Sequence, residues 1–404
     1  MNFLRTAING ISLSLRPRVT CPTLDLSPEA VIPAEAGIQA GNAGFSRIKD
    51  GAGLIKPGMR IKSERSLTRY TRKTACILLL LSWACLINSC SYMVKNDQQK
   101  IYSKPKYGVD KFVVVQGYTI HYVEAGEGEP ILLIPGAFST YRHWNRIIPC
   151  LSKQYKLLCI DYLGVGDSDK PRSGFGYTIE EQADLMVKMI EALQIPKVQI
   201  IGVSYGGAIA LNLAARYPEK VDKIVSIEGN GIKHQGIPYR PMKGLLGWPV
   251  VGELSIGAIR LGVADRLVAK SVMGKAWEQM TEAERDEVAE IIAQNNKTAS
   301  AVSWHLISQT LETSKDFTDQ AKTIQIPVLY LYGQNSYYHG MAETNAEFLR
   351  TYLRNVKIVR FNDGIHDLEL QKPEDVAALV LEFLAQNGIA QETEITKSQI
   401  SNSN

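Results

Sequence analysis

The sequence predicts an α/β fold, in which a mostly parallel sheet carries helices on both faces. Short apolar strands alternate with helical segments over residues 109–231 and again over residues 321–388. Between these two parts, residues 232–320 contain only helical patterns. With 404 residues, 45% of them apolar, the chain can bury a large core. We therefore predict a core domain formed by the two parts and a helical cap inserted after the sixth strand.

The predicted elements follow in order along the chain. Three β-rich runs separated by glycine open the domain, namely FVVVQG, YTIHYVEAG and PILLIPGA. The strand KLLCIDYLG precedes the helix TIEEQADLMVKMIEALQI, and VQIIGVS precedes YGGAIALNLAARYP and the strand KIVSIEG. After the insertion come the strands IPVLYLYG and NVKIVRFND and the helix PEDVAALVLEFLAQ. The insertion is placed to cover the carboxyl ends of the strands, where open α/β sheets bind ligands.

The segment before the core resembles a bacterial lipoprotein signal peptide. In residues 59–89 a basic stretch precedes roughly 13 apolar residues, fewer than the about 20 that a spanning helix needs. The run ends in LINSC, which is similar to the lipobox that precedes an acylated cysteine. The resemblance implies lipidation at Cys90 and export to the periplasmic face of the outer membrane of a Gram-negative bacterium. We expect residues 1–58 to be a non-native or untranslated extension, residues 90–108 a linker and residues 389–404 a polar tail.

Charge and motif content exclude several kinds of partner. Residues 1–89 carry 12 Lys and Arg against 5 acidic residues, which leaves 33 against 36 for the rest of the chain. This balance gives no basic face for a nucleic acid. No CxxC, HExxH or GxxxxGKS/T spacing occurs, so we expect neither a metal nor a cofactor. The expected partners are a small-molecule substrate and, through the acylated cysteine, a lipid membrane; the sequence points to no protein partner.

The strongest local signal is GVSYG at residues 202–206. It follows the strand VQII and opens the helix AIALNLAA, which is the strand-turn-helix setting of a nucleophile elbow. Glycine two residues on either side of Ser204 permits the tight turn that exposes the serine Oγ above the sheet. A serine that only caps the following helix is the ordinary alternative. We predict that Ser204 is a nucleophile.

From about residue 110 to residue 386 the chain resembles the α/β-hydrolase fold family. The motifs that carry the resemblance are IPGAF (134–138), GVSYG (202–206), DYLGVGDS (161–168) and HDLELQKP (366–373). The resemblance implies that His366 is the general base of Ser204. It also implies an oxyanion hole made by the backbone N–H groups of Ala137 and Tyr205.

The usual third member of this family's catalytic triad is missing. In most of the family an aspartate lies three residues after the glycine that ends the strand, here Gly333, but this chain has Ser336 at that place. Loss of the carboxylate of such a triad costs about 10⁴ in rate. The family's known alternative, used by glutamate-bearing haloalkane dehalogenases, is the end of the strand after the nucleophile helix, where SIEGNG places Glu228. We predict that Glu228 orients His366.

These residues together imply a membrane-anchored serine hydrolase that works through an acyl-enzyme. The expected substrates are carboxylic esters of small to medium, apolar molecules. A serine cannot form the alkyl-enzyme ester made by aspartate-bearing dehalogenases and epoxide hydrolases. Two alternatives stay open: a non-catalytic binding protein of the α/β-hydrolase fold, which the serine at position 336 favours, and a cofactor-free haloperoxidase or C–C hydrolase-like relative with the same triad.

Overall fold

The computed structural model describes residues 103–229, 244, 246–313, 316–386 and 395–396. The predicted extension, the signal sequence, Cys90 and most of the predicted linker and polar tail lie outside these residues. The strands are β1 (Val109–Val115), β2 (Tyr118–Ala125), β3 (Glu129–Ile134), β4 (Tyr155–Asp161), β5 (Val198–Val203), β6 (Val221–Ile227), β7 (Val328–Gly333), β8 (Val356–Phe361) and β9 (Ile395–Thr396).

The helices lie between these strands and after β8. The α-helices are α1 (Ile148–Leu151), α2 (Ile179–Ala192), α3 (Tyr205–Arg216), α4 (Pro249–Arg260), α5 (Asp265–Met273), α6 (Ala276–Gln279), α7 (Glu282–Lys297), α8 (Ala301–Thr313), α9 (Thr318–Ala321), α10 (His339–Tyr352), α11 (Leu368–Gln371) and α12 (Pro373–Ala385). Two short 3-10 helices span Tyr141–Trp144 and Pro218–Lys220.

One sheet contains all the described strands in the order β1-β2-β4-β3-β5-β6-β7-β8-β9. The pairs β1–β2 and β2–β4 are antiparallel, and every other neighbouring pair is parallel. Strands β5 and β7 are buried along their whole length, as expected for parallel strands covered on both faces. The predicted fold class, a mostly parallel sheet with helices on both faces and a helical insertion after the sixth strand, is confirmed.

The hydrophobic core has two layers, one on each face of the sheet. Helices α2, α3 and α10 contribute to one layer, and α1 and α12 to the other. Neighbouring residues Ile200 and Ile201 of β5 pack into different layers, because side chains alternate across a strand. This arrangement fixes the carboxyl ends of β5, β6, β7 and β8 at one edge, and these ends carry the candidate site.

The helices between β6 and β7 pack over that edge. Residues of α5, α6 and α7 share a small core with Ile365 and Leu370 of the segment after β8. Helix α8 packs on the main core through Ile307 and Leu311. Arg146 also donates a hydrogen bond of 2.9 Å to Glu284 of α7. The insertion is therefore held against the core from several directions. Among the described residues, no helix combines the length and hydropathy that crossing a bilayer requires.

Candidate active site

Ser204 lies in the tight turn between β5 and α3. Its φ of 52° and ψ of −115° form a strained conformation for a residue with a side chain. The turn is held by a hydrogen bond of 2.8 Å from the Ser204 N–H to the carbonyl of Ile227. A Cβ on Gly202 would lie 2.4 Å from the Gly206 carbonyl oxygen, and one on Gly206 would lie 2.1 Å from that of Ile134. Only glycine fits at these two places, as the sequence motif requires.

His366 and Glu228 meet above the carboxyl end of the sheet. Glu228 directly follows β6 in a left-handed conformation with φ of 44°, and its N–H donates to the Leu331 carbonyl at 2.8 Å. The loop between β8 and α11 brings His366 Nδ1 to 2.6 Å from Glu228 Oε2. Both side chains are buried. The structure thus brings together the two residues that the sequence predicted as base and acid.

The electrostatics around His366 favour its protonated form. Burial alone lowers the pKa of the imidazole, but the charge of Glu228 and the hydrogen bond with it outweigh that effect. Asp367 and Glu369 add to the same field, and together these groups raise the pKa of His366 to about 9. A carboxylate placed in this way stabilises the imidazolium that forms when a serine gives up its proton.

Ser336, at the position where the family usually has an aspartate, contacts the displaced carboxylate. Its Oγ donates to Glu228 Oε2 at 2.8 Å, and the Gly333 N–H donates to Oε1 at 2.7 Å. The Tyr338 N–H donates to Ser336 Oγ at 3.1 Å. Donors of this kind stabilise an ionised carboxylate and fix its orientation. Ser336 therefore supports Glu228, a role that the sequence did not reveal.

The predicted oxyanion donors border the same cavity as Ser204. Ala137 lines that cavity, and a Cβ built on the preceding glycine would lie 3.6 Å from the Ser204 Cβ. Tyr205 is the first residue of α3, so its N–H has no acceptor inside the helix. Both N–H groups are thus next to the serine, where a developing oxyanion would need them.

The loop that carries Ala137 is held by a tyrosine. Tyr162 Oη accepts a hydrogen bond of 3.0 Å from the Phe138 N–H and donates one of 3.2 Å to the Gly136 carbonyl. Pro135 lacks an N–H of its own, so this tyrosine supplies polar contacts to the turn. Tyr162 is the second residue of the DYLGVGDS motif, but the sequence does not show which groups its side chain contacts.

Asp161, the first residue of the DYLGVGDS motif, binds groups away from His366. Its Oδ2 lies 2.7 Å from His121 Nδ1 and accepts from the Asp167 N–H at 2.9 Å, while its Oδ1 accepts from the Tyr141 N–H at 2.7 Å. Asp161 is fully buried. It holds the turn after β4 together and contacts a different histidine.

A cavity of about 300 Å³ connects these groups. Ser204 and His366 lie in its wall, and cap residues supply much of the remaining surface. The cap residues in the wall are mainly apolar: Ile259, Val268, Val272, Ile292, Trp304, Asn295 and Asn296. The arrangement suits a largely apolar molecule with one polar, reactive group near the serine.

A second buried histidine lies beside the candidate triad. His143 Nε2 is 2.6 Å from Glu369 Oε1 and 3.4 Å from Asp367 Oδ1, and His143 and Asp367 both line the cavity. Burial lowers the pKa of His143, but its hydrogen bonds to Asp367 and Glu369 outweigh this effect and raise that pKa to about 10. His143 belongs to none of the sequence motifs that carry the family resemblance.

Two clusters of the described residues have the composition of metal ligands. They are His121 with Asp161 and Asp167, and His143 with Asp367 and Glu369. In each cluster a histidine nitrogen is hydrogen-bonded directly to a carboxylate, at 2.7 Å and 2.6 Å. In this structure these contacts are hydrogen bonds between buried histidines and carboxylates.

His143→Gln is expected to destabilise the fold by about 3–5 kcal/mol, because it leaves two buried carboxylates without their cation. Urea unfolding would measure the change. Arg216→Gln is the matched control, since the Arg216–Asp184 pair is on the surface and such pairs contribute about 1 kcal/mol or less. Equal losses in the two variants would show that the buried cluster is not an ion pair.

Comparison of the sequence with known proteins finds a matching family model and several relatives. A family model described as alpha/beta hydrolase fold matches residues 129–254. An uncharacterised protein of Mycobacterium tuberculosis is 30% identical over 165 residues, which are 40% of this chain and 48% of that protein. A 2-hydroxymuconate semialdehyde hydrolase of a Pseudomonas species is 29% identical over 127 residues, 31% of this chain and 44% of that protein. The matched segments span about half or less of these curated relatives.

Solved structures match over more of the chain. A bacterial membrane phospholipase A superposes with a TM-score of 0.56 at 20% identity, covering 79% of this chain and 96% of that one. A bromoperoxidase from Bacillus anthracis gives a TM-score of 0.57 at 19% identity, covering 69% of this chain and all of that one. At such identities the likeness shows the fold alone. The chain has the α/β-hydrolase fold, and its sequence matches support a place among the α/β hydrolases.

Proposed function

We propose that this protein is a membrane-anchored serine hydrolase that cleaves carboxylic esters of small to medium, apolar molecules through an acyl-enzyme. The observation that carries the proposal is the 2.6 Å contact between His366 Nδ1 and Glu228 Oε2. It supplies the acid that the sequence lacks at its usual place. The same histidine lines one cavity with Ser204.

In the proposed mechanism Ser204 Oγ attacks the ester carbonyl while His366 takes the serine proton. The N–H groups of Ala137 and Tyr205 stabilise the oxyanion of the tetrahedral intermediate. Collapse of the intermediate breaks the bond to the alcohol, which leaves with the proton from His366. Water, deprotonated by His366, then attacks the acyl-enzyme and releases the carboxylic acid and free serine. Glu228 stays ionised throughout and stabilises the imidazolium.

The substrate class rests on the cavity, and the anchoring rests on the sequence. A cavity of about 300 Å³ with mainly apolar cap residues suits a modest, apolar acyl or alcohol group. The lipobox-like LINSC supports lipid attachment at Cys90.

Hydrolysis of a carbon–carbon bond is the second candidate function. Three curated relatives favour it, since they are named as hydrolases of 2-hydroxymuconate semialdehyde, of 2-hydroxy-6-oxo-2,4-heptadienoate and of an aminophenyl-substituted hexadienoic acid. The same nucleophile and base would act in either reaction. Assaying the protein with a vinylogous 1,5-diketone beside an ester separates the two, because only the first candidate requires ester turnover.

A fluorophosphonate probe tests for an activated serine. The full chain should gain one phosphonyl group, located by mass spectrometry on the peptide that contains Ser204, and Ser204→Ala should gain none. Ser173→Ala is the control, because Ser173 is an exposed residue outside the cavity, and this variant should label like the parent. A folded parent that stays unlabelled would favour a non-catalytic binding protein.

The pH dependence of kcat/KM is expected to follow the neutral form of His366. The base must be unprotonated to take the serine proton, and the pKa of His366 is raised to about 9. Activity should therefore rise with pH and level off near pH 9, and it should fall tenfold for each pH unit well below that value. Measurement of initial rates from pH 6 to pH 10 would check this, and a flat profile would contradict the assignment of His366.

A further inference from the structure

The cap carries an exposed apolar surface at its outer end. Helices α4 and α5 are joined by the turn around Gly262, and large apolar side chains are exposed on both helices and on the turn. We call this surface the cap-tip patch. It consists of Trp248, Val250, Leu254, Leu261, Val263 and Leu267. The turn is the most exposed part, with Leu261 at 77% and Val263 at 87%.

The patch follows the periodicity of the helices. On α4 the exposed residues Val250 and Leu254 lie four residues apart. Leu261, the cap residue that follows α4 with helical backbone angles, lies seven residues further on, so the three side chains share one side of the helix. Ile256 on the same helix is fully buried in the cap. Helix α4 is therefore apolar on its outer side as well as on its inner side. Large apolar side chains exposed together on helices and their connecting turn normally mark a site that contacts a partner or a membrane.

The patch is continuous with the wall of the active-site cavity. Val268 is 40% exposed beside Leu267, and it also lines the cavity together with Ile259 and Val272. The two helices that present the patch outward thus form part of the cavity wall inward. A molecule bound on the patch would therefore lie against helices that also line the candidate site.

Charge on this segment suits an apolar, non-basic partner. No acidic side chain of residues 246–275 is exposed: Glu253 is buried and pairs with Arg172 at 3.3 Å, and Asp265 accepts a hydrogen bond from Asn296. The exposed charged residues there are Arg266, Lys270 and Lys275. The first two pair with acids of α6 and α7. The exposed charges of this segment are thus positive, and those of Arg266 and Lys270 are matched by acids of neighbouring helices.

The proposed anchor keeps a bilayer within reach. Twelve residues lie between Cys90 and Ser103, the first described residue, and this stretch can span at most about 45 Å. A domain held this close to a membrane meets the bilayer at a high effective concentration. Even a patch of modest affinity would then be occupied.

We propose that the cap-tip patch rests on the lipid bilayer and admits substrate from it, so that the substrates are esters with acyl chains dissolved in the membrane. This inference rests on the proposed function and narrows its substrate class. Trp248, at the edge of the patch and 70% exposed, is of the residue type that favours the headgroup region. The apolar turn would enter the region of the acyl chains.

Contact with the bilayer can be measured without catalysis. The full chain, inserted in phosphatidylcholine vesicles with brominated acyl chains, should show tryptophan quenching that is partly lost in Trp248→Phe. This variant is needed because the chain has five tryptophans. Equal quenching in parent and variant would overturn the proposal. So would a concentration-dependent dimer that shields Trp248 from the brominated lipid, since a second copy would then cover the patch.

Catalysis gives the second readout. In the same vesicles, the parent should hydrolyse both soluble p-nitrophenyl acetate and vesicle-borne methylumbelliferyl decanoate, an ester with a medium-length acyl chain. Leu261→Asp combined with Val263→Asp should lower the ratio of vesicle-borne to soluble turnover by about tenfold or more. The matched control is Val109→Asp combined with Val114→Asp, at apolar residues of β1 that are also exposed, and it should leave the ratio unchanged.

The two readouts separate the proposals. Quenching of Trp248 without turnover of either ester would refute the proposed function, whereas the inferred contact between the patch and the bilayer would still hold. Turnover of the soluble ester with an unchanged ratio in the patch variant would keep the hydrolase and overturn the role of the patch.

Discussion

Glu228→Gln is expected to lower kcat/KM by about 10⁴, or about 5.5 kcal/mol of transition-state stabilisation. The amide keeps the shape of the side chain but removes the charge that faces His366 Nδ1 at 2.6 Å. The charge of Glu228 contributes to the raised pKa of His366, so the pKa should fall in the variant. The acid limb of the pH profile should therefore move to lower pH while the plateau drops.

The adjacent serine permits a test of where the acid is needed. Ser336 Oγ lies 2.8 Å from Glu228 Oε2, so a carboxylate introduced there would take over the position of the lost charge. We expect Glu228→Gln combined with Ser336→Asp to recover at least about a hundredfold of the lost activity and to restore the acid limb toward that of the parent. This is the arrangement that most of the fold family uses.

The single variant Ser336→Asp is the control. With Glu228 intact it places two carboxylates against one histidine, and such pairs resist sharing a site. Its activity should fall, although less than that of Glu228→Gln. If the double variant is no better than Glu228→Gln, a charge at position 336 does not replace the charge at position 228, and the placement of the carboxylate matters as well as its charge. If Glu228→Gln itself keeps full activity, the assignment of the acid is wrong.

Ser204→Ala and His366→Ala should each lower kcat by about 10⁶, and the double variant should lose no more. The two side chains act as one unit, because the serine is a weak nucleophile without its base and the base has no proton to take without the serine. The remaining rate should reflect the oxyanion donors Ala137 and Tyr205, which neither substitution removes. Steady-state hydrolysis of an ester by each purified variant would give the kcat values.

Additive losses of activity in the double variant would contradict the prediction that Ser204 and His366 act as one unit. If the double variant loses about the product of the single effects, the serine and the histidine act in separate steps. Circular dichroism should accompany the rates. His366 is buried beside Asp367 and Glu369, so a loss of folding in His366→Ala has to be distinguished from a loss of catalysis. His366→Gln, closer in size, is the second variant for that purpose.

The sequence was sufficient for features that depend on neighbours along the chain. The nucleophile elbow is such a feature. The glycines around Ser204 must leave room for a turn in which Ser204 has a positive φ, and all the residues involved lie within the five-residue motif GVSYG. The order of strands and helices is another, since apolar runs and their spacing predict a parallel sheet directly. The position of Glu228 after an apolar strand was informative once the family resemblance had pointed to the end of that strand.

Contacts between distant segments could not be predicted in this way. Ser336 looked like the loss of an acid, yet it donates to Glu228 from 108 residues away. His143 shares a hydrogen bond with Glu369 across 226 residues, and neither residue belongs to a motif. Tyr162 holds the loop of Ala137 through two hydrogen bonds whose partners lie on another strand's end. Each of these contacts forms only because the fold brings the ends of particular strands to the same edge of the sheet.

By itself the sequence determined the fold class, the elbow and the candidate nucleophile, because local backbone requirements and hydrophobic periodicity act over a few residues. Only the tertiary structure decided that Glu228 reaches His366, that Ser336 supports it, and that apolar residues of α4 and α5 are exposed beside the cavity. The physical reason is the parallel sheet. It brings residues hundreds of positions apart to a common edge, where distance and burial, and not sequence spacing, set their chemistry.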